Sequence, residues 1–232
     1  MKDKSKGKFY FKVKTLKQTP SLAQMEEKKL HELAGLSTFR HFNKGDFIFL
    51  EGEDLSCLYI VQDGRVKLFK SSLSGKSHTF SIAHLGDTLH GIVLFTGEPC
   101  WIAAQALDDV VLLCIGKKDF LTFTDRHPSI LRKIIKILGD QINSTNLRLT
   151  DVISMDVKQR VVNVLNMLSN KFGSTLLFTN DELAELAGTT TETTIRVIGQ
   201  LKRSGLISTY RGKIHIKDAP RLKDLSSDFI MI

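Results

Sequence analysis

The 232-residue sequence predicts an α+β chain: a strand-rich N-terminal half, one long helix, and a helical C-terminal module closed by a hairpin. Three observations carry this. Between about residues 41 and 115, short apolar runs alternate with turn chemistry. Residues 128–156 have no proline after Pro128 and repeat apolar side chains in steps of four and three. Residues 179–207 read as two short helices joined by a tight turn.

In chain order, residues 1–20 hold seven lysines against Asp3, with Phe9, Tyr10 and Phe11 embedded. That composition predicts a loosely ordered basic tail, with a membrane-surface or DNA-contacting arm as the alternative. Residues 22–36 then read as a helix offering Leu22, Met25, Leu30 and Leu33 for packing. Turn signals follow at Asn43-Lys44-Gly45-Asp46, Gln62-Asp63-Gly64-Arg65, Ser74-Gly75-Lys76 and Leu85-Gly86-Asp87. The apolar runs at 47–50, 58–61, 66–69 and 110–115 lie among them. Regular punctuation of this kind argues for an antiparallel barrel or sandwich over residues 21–127. No strand carries paired carboxylates, a Ser/His/Asp set or a metal-ligand spacing, so no enzyme chemistry is expected.

The long helix, taken as residues 128–155, places Leu131, Ile135, Leu138, Ile142, Thr145, Leu149 and Val152 on one narrow seam. A seam of this width wants a partner helix. The simplest partner is the same helix of a second chain, which would give a homodimer; the alternative is packing onto its own barrel.

Residues 156–232 form the last predicted module. An amphipathic helix turns Val161, Val164, Leu165, Leu168 and Phe172 inward, and a short strand at 175–178 follows. Thr179 and Glu182 then have the spacing of a capping box, Leu183, Leu186 and Ala187 share a face, and Gly188 supplies the stop. Thr190 is the expected N-cap of the second short helix, whose buried stripe is Thr194, Val197, Ile198 and Leu201. Thr191, Glu192, Ile195 and Arg196 are left facing outward. An acid, a base and small groups on an exposed helix face can read base edges in the major groove; an ordinary helical hairpin with an exposed ion pair is the alternative. Two further runs flank Tyr210-Arg211-Gly212 as a hairpin, completing a winged helix-turn-helix pattern. Lys202, Arg203, Arg211 and Lys213, with Thr179 and Thr193, are the candidate phosphate contacts. Residues 219–232 either trail off the surface or fold back.

Charge distribution agrees with this division. The formal net charge is +8, of which +6 lies in residues 1–20 and +4 in residues 157–216, while residues 21–156 are slightly acidic. Phosphate attraction is needed only where DNA is touched. No apolar run reaches membrane-spanning length, and the N-terminus lacks the apolar core of a secretory signal, so a cytoplasmic location without a membrane partner is expected. Cys57, Cys100 and Cys114 are odd in number and far apart, which predicts neither a disulfide framework nor a metal cluster.

The ordered landmarks resemble the CRP/FNR family of bacterial transcription regulators from about residue 22 onward. They are Lys44-Gly45-Asp46, Glu51-Gly52-Glu53, Asp63-Gly64-Arg65-Val66 and Gly86-Asp87, then the long helix and the wing. Most specific is the run Gly188-Thr189-Thr190-Thr191-Glu192-Thr193-Thr194-Ile195-Arg196, which is similar to that family's G-x-[ST]-x-E-[ST]-x-x-R recognition motif. The resemblance implies a β-roll sensor of the cyclic-nucleotide-binding type, a dimerisation helix and a winged helix-turn-helix. It implies an effector-gated homodimer on a palindrome with a TGA-like core, acting as an activator that recruits RNA polymerase. Glu192 would accept from a cytosine amine and Arg196 donate to guanine, while Thr191 and Ile195 leave the outer bases open.

The sensor departs from the family pattern. Where cyclic-nucleotide binders carry G-E-[LI] and P-R-[ST]-A, this chain has His90-Gly91-Ile92 and Pro99-Cys100-Trp101-Ile102. A buried phosphate without its arginine is costly, which argues against cyclic AMP in the usual mode. The expected effector pocket is His90, Gly91, Cys100 and Trp101. Some family members bind haem and sense CO or NO, so a haem-dependent regulator with His90 as ligand, or His78 or His84 in its place, is one alternative. A cyclic-nucleotide-binding module that regulates a partner is another. No resident metal is expected outside the haem reading.

Overall fold

The computed structural model describes residues 2–71, 77–210 and 212–225. They form two compact units divided between Gln141 and Ile142. The division falls inside the long helix.

The first unit opens with helices α1 (Lys2–Gln18) and α2 (Glu27–Gly35). Strands β1 (Ser37–Phe42), β2 (Phe47–Phe49), β3 (Cys57–Asp63), β4 (Val66–Ser71), β5 (Ser77–Ala83) and β6 (Thr88–Leu89) follow. A short helix α3 (Val93–Thr96), strands β7 (Ala103–Ala106) and β8 (Val110–Gly116), and helix α4 (Lys117–Arg126) complete the roll. Two four-stranded sheets result, ordered β1-β8-β3-β6 and β2-β7-β4-β5, and their pairs are antiparallel. Strand β8 lies between β1 and β3 and buries Val110, Leu112, Leu113, Cys114 and Ile115. It therefore reads as a continuous apolar run instead of an alternation. Ile60, Val61, Val66, Leu89 and Ala104 complete the centre of the core.

The flexible tail expected over residues 1–20 is corrected by the structure: α1 is an ordered helix packed on α2. Val13 and Leu16, three residues apart, are buried in the same core as Leu22, Leu30 and Leu33. The Lys12 ammonium donates to the carbonyls of Ala34 and Ser37, which ties the helix to the start of β1. At its far end, the Gln18 carbonyl abuts Gly86 so closely that no Cβ fits there, and Gly86 adopts φ +86°. Lysine-rich composition masked this short apolar stripe. Strands β1, β5, β6 and β7 and helices α3 and α4 also go beyond the runs read from sequence.

Helix α5 (Ser129–Ser154) matches the long helix. It packs on the sensor core through Ile130, which is buried, and Ile134, which is partly buried. That is a stripe beside the predicted seam. On the seam itself Ile135, Ile142 and Leu149 are 67%, 62% and 61% exposed, and Leu131 and Leu138 are half-buried. Thr145 is exposed, and the Val152 side chain lies outside the described residues.

The second unit holds α6 (Val157–Phe172), β9 (Thr175–Leu176), α7 (Asn180–Ala187), α8 (Thr191–Arg203), β10 (Ile207–Tyr210), β11 (Lys213–Ile216) and α9 (Ala219–Asp224). Asp156 caps α6 through a reciprocal box with Gln159. Val161, Val164, Leu165 and Leu168 form the buried face of α6. The three strands are ordered β10-β11-β9, so the hairpin wing is anchored to the strand preceding α7. Helix α9 folds back: Leu222 is buried, and its carbonyl accepts from Asn166 on α6.

Candidate nucleic-acid interface

The C-terminal unit presents α8 by a sequence of local devices. Thr179 Oγ1 accepts from the Glu182 amide at 3.2 Å, and the Thr179 amide donates to the Glu182 carboxylate at 2.6 Å. The Thr179 hydroxyl proton also points at that carboxylate, at 3.0 Å, so its donors are committed to the cap. Helix α7 stops at Gly188, whose left-handed φ of 60° lets the Thr189 amide return to the Ala184 carbonyl at 3.0 Å. Two residues later Thr190 caps α8 by accepting from the Thr193 amide. The Thr193 hydroxyl lies 3.0 Å from that of Thr190.

Across α8 the two faces are cleanly separated. Thr194, Val197, Ile198 and Leu201 are buried. Glu192, Ile195 and Arg196 are exposed, with Ile195 at 50%, and Thr191 is half-buried. Lys202 and Arg203 project at the C-terminal end of α8, and Lys213 opens the second wing strand opposite Tyr210. Arg211 lies outside the described residues. The structure thus brings Glu192, Ile195 and Arg196 onto one face.

Two residues in this unit were not singled out from sequence. Arg160 on α6 donates to the Ala187 carbonyl at 3.0 Å, the Gly188 carbonyl at 3.3 Å and the Met155 carbonyl at 3.1 Å. One guanidinium therefore fastens the α5–α6 joint to the turn that launches α8. Its signal was a cation four residues after a helix cap, within an otherwise apolar face. The other is Asp181, whose carboxylate accepts from the Thr191 hydroxyl at 2.6 Å. Its partner is ten residues away, and no sequence periodicity reveals it.

In the sensor unit, His90 and Trp101 do meet: their rings lie edge to face, 5.8 Å apart, and Phe80 packs on Trp101 at 4.8 Å. His90 is the only non-glycine residue with positive φ among the described residues, at 47°. Its Nε2 is buried with no hydrogen-bond partner among them, and burial lowers its pKa. A Cβ on Gly91 would press on Leu58 at 2.8 Å, so that backbone is closely packed. Cys100 is buried, and its backbone pairs with Gly52 and Glu53. Burial, with Glu53 and Asp54 adding to it, pushes its thiol up to about 11. A buried thiol thus stands in place of the arginine of the family pattern, and a cyclic phosphate would lack that cation here. The His90 ring sits beside Trp101, and the raised pKa of Cys100 leaves no thiolate there near neutral pH. Of the alternative histidines, His84 is paired with Asp87 at 2.7 Å and His78 is exposed on β5. An open groove of about 550 Å³ lies elsewhere, between α1 and α2, lined by Phe9, Tyr10, Val13 and Lys14 among others.

Comparison with known proteins agrees with both units. Residues 39–127 match the cyclic nucleotide-binding domain, and residues 159–225 match the Crp-like helix-turn-helix domain. The chain is 27% identical to the cyclic AMP receptor protein of Thermus thermophilus, over 81% of this chain and 87% of that protein. It is 27% identical to the anaerobic regulatory protein of Bacillus subtilis, over 82% and 84%. The crystal structure of a CRP/FNR-family transcriptional regulator from Thermus thermophilus, 27% identical, superposes with a TM-score of 0.68 over 82% of this chain and 98% of that one. These relatives are regulators and not enzymes. With a cyclic-nucleotide-binding fold followed by a Crp-like DNA-binding helix-turn-helix, this chain belongs to the CRP/FNR family of transcription regulators.

Proposed function

We propose that the chain works as an effector-gated homodimer that reads a palindrome with a TGA-like core through Glu192 and Arg196. The observation that carries this reading is the face of α8, where Glu192, Ile195 and Arg196 stand exposed above a buried stripe. Glu192 accepts from a cytosine N4 amine, Arg196 donates to guanine O6 and N7, and Ile195 packs on a thymine methyl. Lys202, Arg203, Arg211 and Lys213 meet phosphates. Thr179 and Thr193 act there chiefly by shaping the caps, since their polar groups are engaged locally. The exposed Ile135, Ile142 and Leu149 supply the seam between two α5 helices, which sets two α8 helices about a two-fold axis.

Gating then follows from the joint. A signal in the roll that changes the pairing of the α5 helices moves residue 155, and Arg160 carries that movement to the start of α8. The sensor chemistry favours an effector other than a cyclic nucleotide. Recruitment of RNA polymerase, and hence activation, is the mode this reading adopts.

The test is binding of Arg196→Ala to operator and to random duplex at several salt concentrations. A loss of about 1–3 kcal/mol on the operator, with relaxed preference at one base pair, is expected. Lys202→Ala, run alongside, should weaken all sequences alike and flatten the salt slope. Equal losses on specific and random DNA for Arg196→Ala would refute its role.

A further inference from the structure

We propose that Asp181 sets a base preference of α8 by fixing the hydrogen-bond polarity of Thr191. The inference rests on α8 being the base-reading helix. A threonine hydroxyl has one proton and two lone pairs, and when free it rotates to suit a donor or an acceptor. Here its proton is committed. Thr191 Oγ1 donates to Asp181 Oδ1 at 2.6 Å, the short distance of a hydroxyl bonded to a charged carboxylate. What Thr191 offers a ligand is lone pairs alone.

The rest of that end of the helix has the same polarity. Asp181 and Glu192 are exposed carboxylates in the first turns of α7 and α8. Ionised carboxylates only accept. Arg196, one turn along from Glu192, only donates. The reading face is thereby divided into an accepting end and a donating end. In the major groove adenine N6 and cytosine N4 are donors, whereas guanine shows only N7 and O6 and thymine only O4. Thr191, held by Asp181, therefore selects an adenine or cytosine amine on the contacted strand and disfavours guanine and thymine there. Without Asp181 the hydroxyl turns freely and the preference is lost. Asp181 is thus a specificity residue that acts through its neighbour.

The experiment uses the full chain and the duplex that the wild type itself enriches from a random pool. Every base of one half-site is then varied singly, and affinity is measured for wild type, Asp181→Ala, Asp181→Asn, Thr191→Val and Arg196→Ala. The wild type should prefer adenine or cytosine over guanine and thymine by about two- to tenfold at the one position that Thr191→Val affects, the range of a single neutral hydrogen bond. Asp181→Ala should abolish that preference while leaving the Glu192 and Arg196 positions unchanged. Asp181→Asn should retain it, because the amide oxygen still accepts the threonine proton. A thermal melt of each variant establishes that it is folded. An unchanged preference in Asp181→Ala, or its loss in Asp181→Asn, overturns the proposal while the reading of α8 stands. If Arg196→Ala alters no base preference, the reading of α8 falls and takes this inference with it.

Discussion

Thr194 sits fully buried on the inner face of α8, and its hydroxyl oxygen meets no partner among the described residues. An unsatisfied buried hydroxyl costs free energy that an isosteric methyl does not. Thr194→Val should therefore raise stability by about 1 kcal/mol in a denaturant titration, without changing DNA affinity. A loss of stability would show that the hydroxyl is satisfied. At this scale the sequence was partly legible. Helical spacing assigned Thr194, Val197, Ile198 and Leu201 to the core and Glu192 and Arg196 to the surface. Arg160 and Asp181 stayed hidden because their partners lie twenty-seven and ten residues away, beyond any local period. The same holds for the bidentate pair of Arg65 with Asp108, whose hydrogen bonds of 2.6 and 2.8 Å hold that carboxyl below its usual range.

Among the elements, α5 and α1 teach opposite lessons. The steps of four and three along α5 marked a seam, and the structure leaves Ile135, Ile142 and Leu149 exposed while Ile130 and Ile134 meet the core. Three large apolar side chains on one helical face stand exposed, the seam of the proposed homodimer. Ile142→Asp should convert a dimer to monomer in analytical ultracentrifugation and reduce operator affinity at least tenfold, since half-site binding then loses its linkage. A variant that stays dimeric would place the interface elsewhere. For α1 the composition misled: seven lysines suggested a solvated tail, yet two buried apolar residues and one half-buried lysine contact order the helix. Capping was the most readable element-level signal, since both the Thr179–Glu182 box and the Gly188 stop stand as their residue types require.

At the scale of the molecule, the order of roll, long helix and helix-turn-helix was legible because each part has its own period and punctuation. The pairing of non-adjacent strands, such as β1 with β8 across some seventy residues, was not, since no local pattern encodes it. The sensor chemistry was readable as a departure: Cys100 and Trp101 stand where an arginine and a hydroxyl are usual, and the structure adds the burial that pushes the thiol up to about 11, with Glu53 and Asp54 adding to it. In the proposed function, two α8 faces on a two-fold axis make this chain a reader of inverted repeats. Selection of bound duplexes from a random pool by the full chain tests that most directly. The expected result is enrichment of an inverted repeat of TGA-like half-sites whose centres lie about one helical turn apart, on the order of 34 Å. Enrichment of a single unrepeated site, or of repeats lacking the cytosine and guanine that Glu192 and Arg196 read, would contradict it.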